Sequence, residues 1–122
     1  MAKTYSNGQV YVKALKPTNL SFVQGEFCAI TGPSGSGKST LLHMLGGLEC
    51  PTSGMVHYKG EDLFSYNDSQ LSILRRRRFG FVFQAYNLVQ ELTALENILL
   101  PVVLDKKSRI KSILTILWKS WG

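Results

Sequence analysis

Apolar residues in this chain come as short runs and helical stripes, separated by glycine-rich or polar turns. Phe27-Cys28-Ala29-Ile30 is a compact apolar run leading into a glycine-rich loop, the pattern of a buried strand. Leu41, Leu42, Met44, Leu45 and Leu48 then recur at helical spacing, which predicts a helix with one face for a sheet. Gly46 and Gly47 weaken its last turns, and Cys50-Pro51-Thr52-Ser53-Gly54 closes it in a loop. Met55 to Tyr58 reads as a short strand ended by a Lys59-Gly60 turn. Ser69 to Arg77 reads as a helix with Leu71 and Leu74 inward, and Phe79-Gly80-Phe81-Val82-Phe83 as a buried, aromatic-rich strand. Strand, loop, helix, strand, helix, strand predicts an α/β sheet with flanking helices rather than a bundle.

Composition adds little to that picture. The chain has 122 residues, 44% of them hydrophobic, which suits one small globular domain. Cys28 and Cys50 lack metal-ligand spacing and read as free thiols of a reducing compartment, Cys28 inside the expected buried strand. Met1 to Gly8 is polar, without the apolar core of a signal peptide. No apolar run approaches the ~20 residues that span a bilayer.

Charge is uneven. The net charge is +6, and residues 105–122 carry Lys106, Lys107, Arg109, Lys111 and Lys119 against Asp105 alone. A second basic cluster, Arg75 to Arg78, has no interleaved aromatics and precedes an apolar run. It reads as a solvated helix end, where positive charge suits the dipole, and not as a nucleic-acid surface.

The chemistry sits in GPSGSGKST, Gly32 to Thr40, which fits G-x-x-x-x-G-K-[ST] with Gly32, Gly37, Lys38 and Ser39 in the fixed places. A strand entering such a loop and a helix leaving it aim several backbone N–H groups at one anion. The residues between, Pro33, Ser34, Gly35 and Ser36, form the wall of that cradle, and Thr40 continues it into the helix. Lys38 adds a point charge for the β- and γ-phosphates, and the Ser39 hydroxyl is placed to ligate Mg2+. Glycines serve here because a loop wrapped on phosphate needs positive φ and close backbone approach.

Longer segments carry a family resemblance. GEFCAITGPSGSGKSTLLHMLGGLECPTSG (residues 25–54) resembles the ATP-binding subunit of ATP-binding-cassette (ABC) transporters, and RRRRFGFVFQAYNLVQELTALENILLP (75–101) resembles the same family's Q-loop region. KTY at Lys3 to Tyr5 matches its adenine-stacking aromatic, and the similarity, over roughly residues 3 to 105, is strongest to ATPases of the lipoprotein-release, macrolide-export and antimicrobial-peptide-resistance type. It implies a P-loop NTPase-type α/β fold, ATP and Mg2+ as ligands, and adenine stacked on Tyr5, with Tyr11 a competing aromatic. Gln84 would contact Mg2+ and sense the γ-phosphate, so Lys38 and Gln84 are the implied catalytic pair. A neutral amide suits that task because it both ligates a cation and orients water. The implied partners are a transmembrane permease and a second ATPase domain in a head-to-tail dimer. The implied location is cytoplasmic, peripheral to the inner face of the cell membrane through the permease.

Departures from the family pattern limit what the resemblance carries. No LSGGQ-like signature, Asp-Glu strand end or switch histidine follows Gln84. Leu99 to Asp105 is rejected as the acidic strand, since Pro101 cannot donate in a central strand and Lys106 follows the Asp. His43, in a helix, and His57, in a strand, read as ordinary residues. Residues 1–104 are therefore read as the N-terminal part of an ATP-binding domain. Residues 105–122 are read as a basic amphipathic tail, with Ile110, Ile113, Leu114, Leu117, Trp118 and Trp121 at helical spacing. That tail is either a membrane-surface helix or the start of the family's helical subdomain, cut off by an out-of-frame end. Two rival functions remain: a P-loop small-molecule kinase or GTPase, and a non-catalytic truncated fragment.

Overall fold

The computed structural model describes residues 1–85 and 87–104; Tyr86 and the expected tail helix over residues 105–122 lie outside the described residues. The chain divides into two compact units, Met1–Arg75 and Arg76–Gly122.

The first unit opens with an antiparallel hairpin, β1 (Lys3–Ser6) and β2 (Tyr11–Leu15). Its turn is made by Asn7-Gly8: the Asn7 side-chain oxygen accepts from the amides of Gln9 and Val10 at 3.2 and 3.0 Å, and Gly8 takes φ 90°. Side-chain capping of this kind and a positive φ are what an Asn-Gly pair supplies. The register runs Ser6↔Tyr11, Tyr5↔Val12, Thr4↔Lys13, then slips to Lys3↔Leu15, so Ala14 is bulged out. The hairpin is a feature that the apolar pattern did not predict, because both strands are mostly exposed.

Helix α1 (Lys38–Leu45) follows the glycine-rich loop where its apolar stripe predicts it. Leu41 and Met44 are its buried residues, and Leu15, Val56, Leu63 and Leu71 are the other buried hydrophobic residues among those described. The helix ends with Gly47 at φ 69°, the Leu48 amide bonded to the His43 carbonyl (2.8 Å) and the Gly47 amide to that of Met44 (3.0 Å). This pair of bonds satisfies carbonyls that a helix end leaves free. A Cβ on Gly47 would also press on Leu71 Cδ1 at 3.2 Å, so the glycine sits at a core contact as well as at a cap.

The Met55–Tyr58 strand is present in shortened form: β3 (His57–Tyr58) pairs with β4 (Glu61–Asp62). Lys59 and Gly60 both take positive φ between them, at 53° and 87°. A 3-10 turn over Leu63–Ser65 follows, with Asp62 capping the Phe64 amide. Helix α2 (Asp68–Arg78) starts on a reciprocal cap: the Asn67 amide donates to Gln70 Oε1 (3.1 Å) and the Gln70 amide to Asn67 Oδ1 (2.9 Å). Its Leu71 is buried as expected and Leu74 is half-buried. Arg75 Nη1 donates to the Gly47 carbonyl at 2.8 Å, tying α2 to the end of α1.

In the second unit, helix α3 (Ala94–Leu104) begins on Thr93. The Glu96 carboxylate accepts from the Thr93 amide (2.8 Å) and hydroxyl (2.7 Å), while the Glu96 amide donates back to the hydroxyl. Asn97 brackets the preceding loop, its amide group bonded to the carbonyls of Val89, Leu92 and Thr93 and its oxygen accepting from the Val89 amide. Leu99 to Leu104 is thus helical, with Pro101 inside the helix.

Two expectations are overturned. Phe27 to Ile30 forms no strand: Phe27 is 97% exposed, and Cys28 is exposed rather than buried. Phe79 to Phe83 forms none either, and Val82 is fully exposed. The rings of Phe81 and Phe83 still stack at 5.5 Å, as residues two apart on an extended chain can. A strand exists only through a neighbour's ladder of N–H and C=O groups. Among the described residues the only sheets are the two hairpins, both antiparallel, and neither includes these segments. The sheet of the expected α/β architecture is therefore incomplete, while its helices and loops are in place.

Candidate functional site

The glycine-rich loop joins irregular chain to α1. A turn at Pro33–Ser36 is closed by the Ser36 amide on the Pro33 carbonyl at 3.3 Å. Gly37 takes φ 88° at the helix N-cap and makes the start of α1 possible in two ways. An L-residue there would be strained in the left-handed region, and a Cβ would strike the carbonyl oxygen of Ala14 on the bulged strand β2. The hairpin that the sequence pattern missed therefore forms one wall behind the loop.

Lys38 is the first residue of α1, and its side chain turns back over the loop. Nζ donates to the carbonyls of Gly32 (2.9 Å) and Pro33 (2.7 Å) and lies 3.3 Å from Ser36 Oγ. The ammonium is thus held over the loop that leads into α1, whose first amides have no intrahelical partners. No acidic residue stands in that turn, so the positive end of the helix dipole is not neutralised from within. Ser34, Gly35 and Ser39 are exposed and Thr40 is half-buried. Lysine, free amides and a serine hydroxyl together suit an anion of phosphate type with an associated hard cation.

Tyr5 lies on β1 and is 43% exposed; its competitor Tyr11, across the hairpin, is 73% exposed. The Tyr5 hydroxyl donates to Glu49 Oε2 at 2.7 Å. Lys3 bridges the other oxygen of Glu49 at 3.1 Å, donates to the Cys50 carbonyl at 2.7 Å, and holds its ammonium 5.2 Å from the Tyr5 ring centre. The Glu49 carboxylate raises the pKa of Tyr5, burial adds to this, and the Thr40 hydroxyl opposes it. Burial pushes the Glu49 carboxyl up, but the bonds from Tyr5 and Lys3 outweigh it and its pKa is lowered. No motif announces Glu49, and Lys3 enters only as the start of the KTY run; the fold alone brings residues 3, 5 and 49 together.

Gln84 belongs to the second unit, where it is exposed in a bend just after Phe83. Among the described residues no three His, Cys, Asp or Glu side chains gather as a metal site, and no helix is long and apolar enough to cross a membrane.

Comparison with known proteins matches the ABC transporter family over residues 15–119. An uncharacterized ABC transporter ATP-binding protein of Thermotoga maritima is 46% identical over 120 residues, covering 93% of this chain and 51% of that protein. The lipoprotein-releasing system ATP-binding protein LolD of Xanthomonas euvesicatoria is 48% identical over 107 residues, covering 88% of this chain and 44% of LolD. The chain thus spans about half the length of the curated relatives it matches. Two solved structures of MJ0796, a dimeric bacterial ABC transporter cassette and a post-hydrolysis state bound to ADP and Pi, align with TM-score 0.82 at 45% identity. They cover 88% of this chain and 46% of theirs.

Proposed function

This chain belongs to the ABC transporter family, and from that premise we propose that it binds ATP through Gly32–Thr40 as part of a transporter's ATP-binding subunit. The observation that carries the reading is the position of Lys38. Its Nζ is held by Gly32, Pro33 and Ser36 over the loop that leads into α1. Phosphate oxygens would replace those acceptors with charge-assisted bonds, which are shorter and stronger than bonds to neutral carbonyls. Loop amides and Lys38 would stabilise charge on the terminal phosphates. Ser39 offers a hard oxygen donor that fits Mg2+, which when bound neutralises phosphate charge; Gln84 is assigned as the Q-loop glutamine on the family pattern alone. Tyr5 supplies the aromatic platform for adenine.

In the intact protein, ATP hydrolysis in a head-to-tail pair of such domains would drive a transmembrane permease that exports or extracts its substrate. Location at the inner face of the membrane follows from that partner. Family membership favours this reading over the kinase or GTPase alternative. The test is equilibrium binding of Mg-ATP to the chain and to Lys38→Ala. Loss of a charge-assisted contact worth roughly 1.5–3 kcal/mol weakens binding about tenfold to a hundredfold. Equal affinity in the two proteins would remove Lys38 from the site.

A further inference from the structure

We infer that Glu49 is a positioning residue for nucleotide binding, fixing the ring of Tyr5 against the helix that carries the phosphate loop. The inference rests on the ATP-binding reading above and adds to it a residue outside the loop. A tyrosine on an exposed hairpin has two side-chain torsions to settle, and β1 alone does not settle them. Glu49 does so at the hydroxyl, through a 2.7 Å bond from Tyr5 to Oε2. Its other oxygen holds Lys3, whose ammonium stands 5.2 Å from the same ring. Lys3 is held in turn by the Cys50 carbonyl, so carboxylate, ammonium and phenol form one closed cluster.

The place of Glu49 in the chain gives the cluster its meaning. It lies two residues past Gly47 at the end of α1, with its amide on the His43 carbonyl at 3.3 Å. The opposite end of that helix begins at Lys38 and Ser39. Through Glu49 the Tyr5 ring is therefore referenced to α1, and a base stacked on it is held at a fixed offset from phosphates bound at the helix start. A second anchor backs this one: the Thr4 amide donates to Thr52 Oγ1 (3.0 Å), and that hydroxyl donates to the Thr4 carbonyl (3.1 Å). Thr52 holds the strand, Glu49 holds the ring.

Binding of Mg-ATP and of inorganic triphosphate to the full chain tests this, because triphosphate has no base to stack. Glu49→Ala and Tyr5→Phe are each expected to weaken ATP about threefold to tenfold, the scale of one hydrogen bond, and to leave triphosphate unmoved. The double variant is expected to be no weaker than Glu49→Ala alone, since the phenol bond is already lost there. Glu49→Gln, whose amide oxygen still accepts from the phenol, should recover most of the lost affinity. Wild-type ATP affinity in Glu49→Ala overturns the inference. Equal loss of ATP and triphosphate also overturns it, by making Glu49 a residue of the fold. If Tyr5→Ala binds ATP as tightly as wild type while Lys38→Ala does not, the inference falls and the phosphate-loop reading stands. If Lys38→Ala changes neither ligand, both fall.

Discussion

At Gly37 two separate constraints meet on one residue: a φ of 88° and the carbonyl of Ala14 just behind the Cα. Gly35 shares the first constraint, at φ 77°, but has nothing within 4 Å of where a Cβ would lie. Alanine at 35 therefore adds only left-handed strain, about 1–2 kcal/mol, whereas alanine at 37 must also push β2 away from the start of α1. Gly37→Ala is expected to speed hydrogen exchange at the α1 amides well beyond Gly35→Ala. Similar exchange in the two variants would show that the hairpin does not brace the loop. The need for glycine at 32 and 37 was legible in the motif, but the reason at 37 was not. It depends on a bulged strand more than twenty residues upstream, and no spacing rule encodes that contact. The same holds for Glu49, whose partners Lys3 and Tyr5 are distant in sequence and close only in the fold.

Elements were legible to the extent that their signals are local. Helices α1 and α2 appeared where apolar spacing predicted them, and the Lys59-Gly60 turn formed with both residues at positive φ. The Asn7-Gly8 hairpin and the Thr93-x-x-Glu96 cap carry local signals too, of a kind that apolar pattern does not register. Phe27–Ile30 and Phe79–Phe83 failed for a different reason. Apolar content states that a segment can be a buried strand, and a partner's ladder decides whether it is one. The α3 cap offers a test by pH. Bonds from the Thr93 hydroxyl and amide lower the pKa of Glu96 below its ordinary value of 4.5. A depressed carboxyl stabilises the folded form above the ordinary carboxylate range and loses that contribution as pH falls through its lowered pKa. Protection of the first-turn amides of α3 should therefore drop on acidification from pH 5 downward (about the ordinary range). In Glu96→Gln the amide oxygen replaces the carboxylate as acceptor and protection should stay flat. Parallel acid profiles in the two proteins would remove the carboxylate from the cap. Thr93→Ala, which deletes the cap hydroxyl, is expected to destabilise the helix by about 1 kcal/mol at neutral pH.

For the whole molecule, the decisive quantity is how much apolar surface its elements leave uncovered. Six hydrophobic residues are buried among those described: Leu15, Leu41, Met44, Val56, Leu63 and Leu71. Against them stand Phe27 at 97% exposure, Val82 at full exposure, and Leu95, Ile98, Val103 and Leu104 of α3, all at least half exposed. At about 25 cal/mol per Å² of apolar area buried, a core of this size offsets little of the ordering entropy of a chain this long. The two apolar segments that lie outside both hairpins also place large side chains in solvent, and exposed apolar chain of this kind recruits other chains. The family's sheets are mostly parallel and covered on both faces, and this chain spans about half of its relatives' length. We therefore expect the chain, purified alone, to self-associate and to unfold without a sharp cooperative transition. Light scattering across a concentration series, followed by urea denaturation, measures both. Replacing Phe27 and Val82 together with serine should reduce association, because it removes apolar templates that the fold does not bury. A monomer at all concentrations with one steep unfolding transition would mean that these segments are covered in solution, and would overturn the expectation.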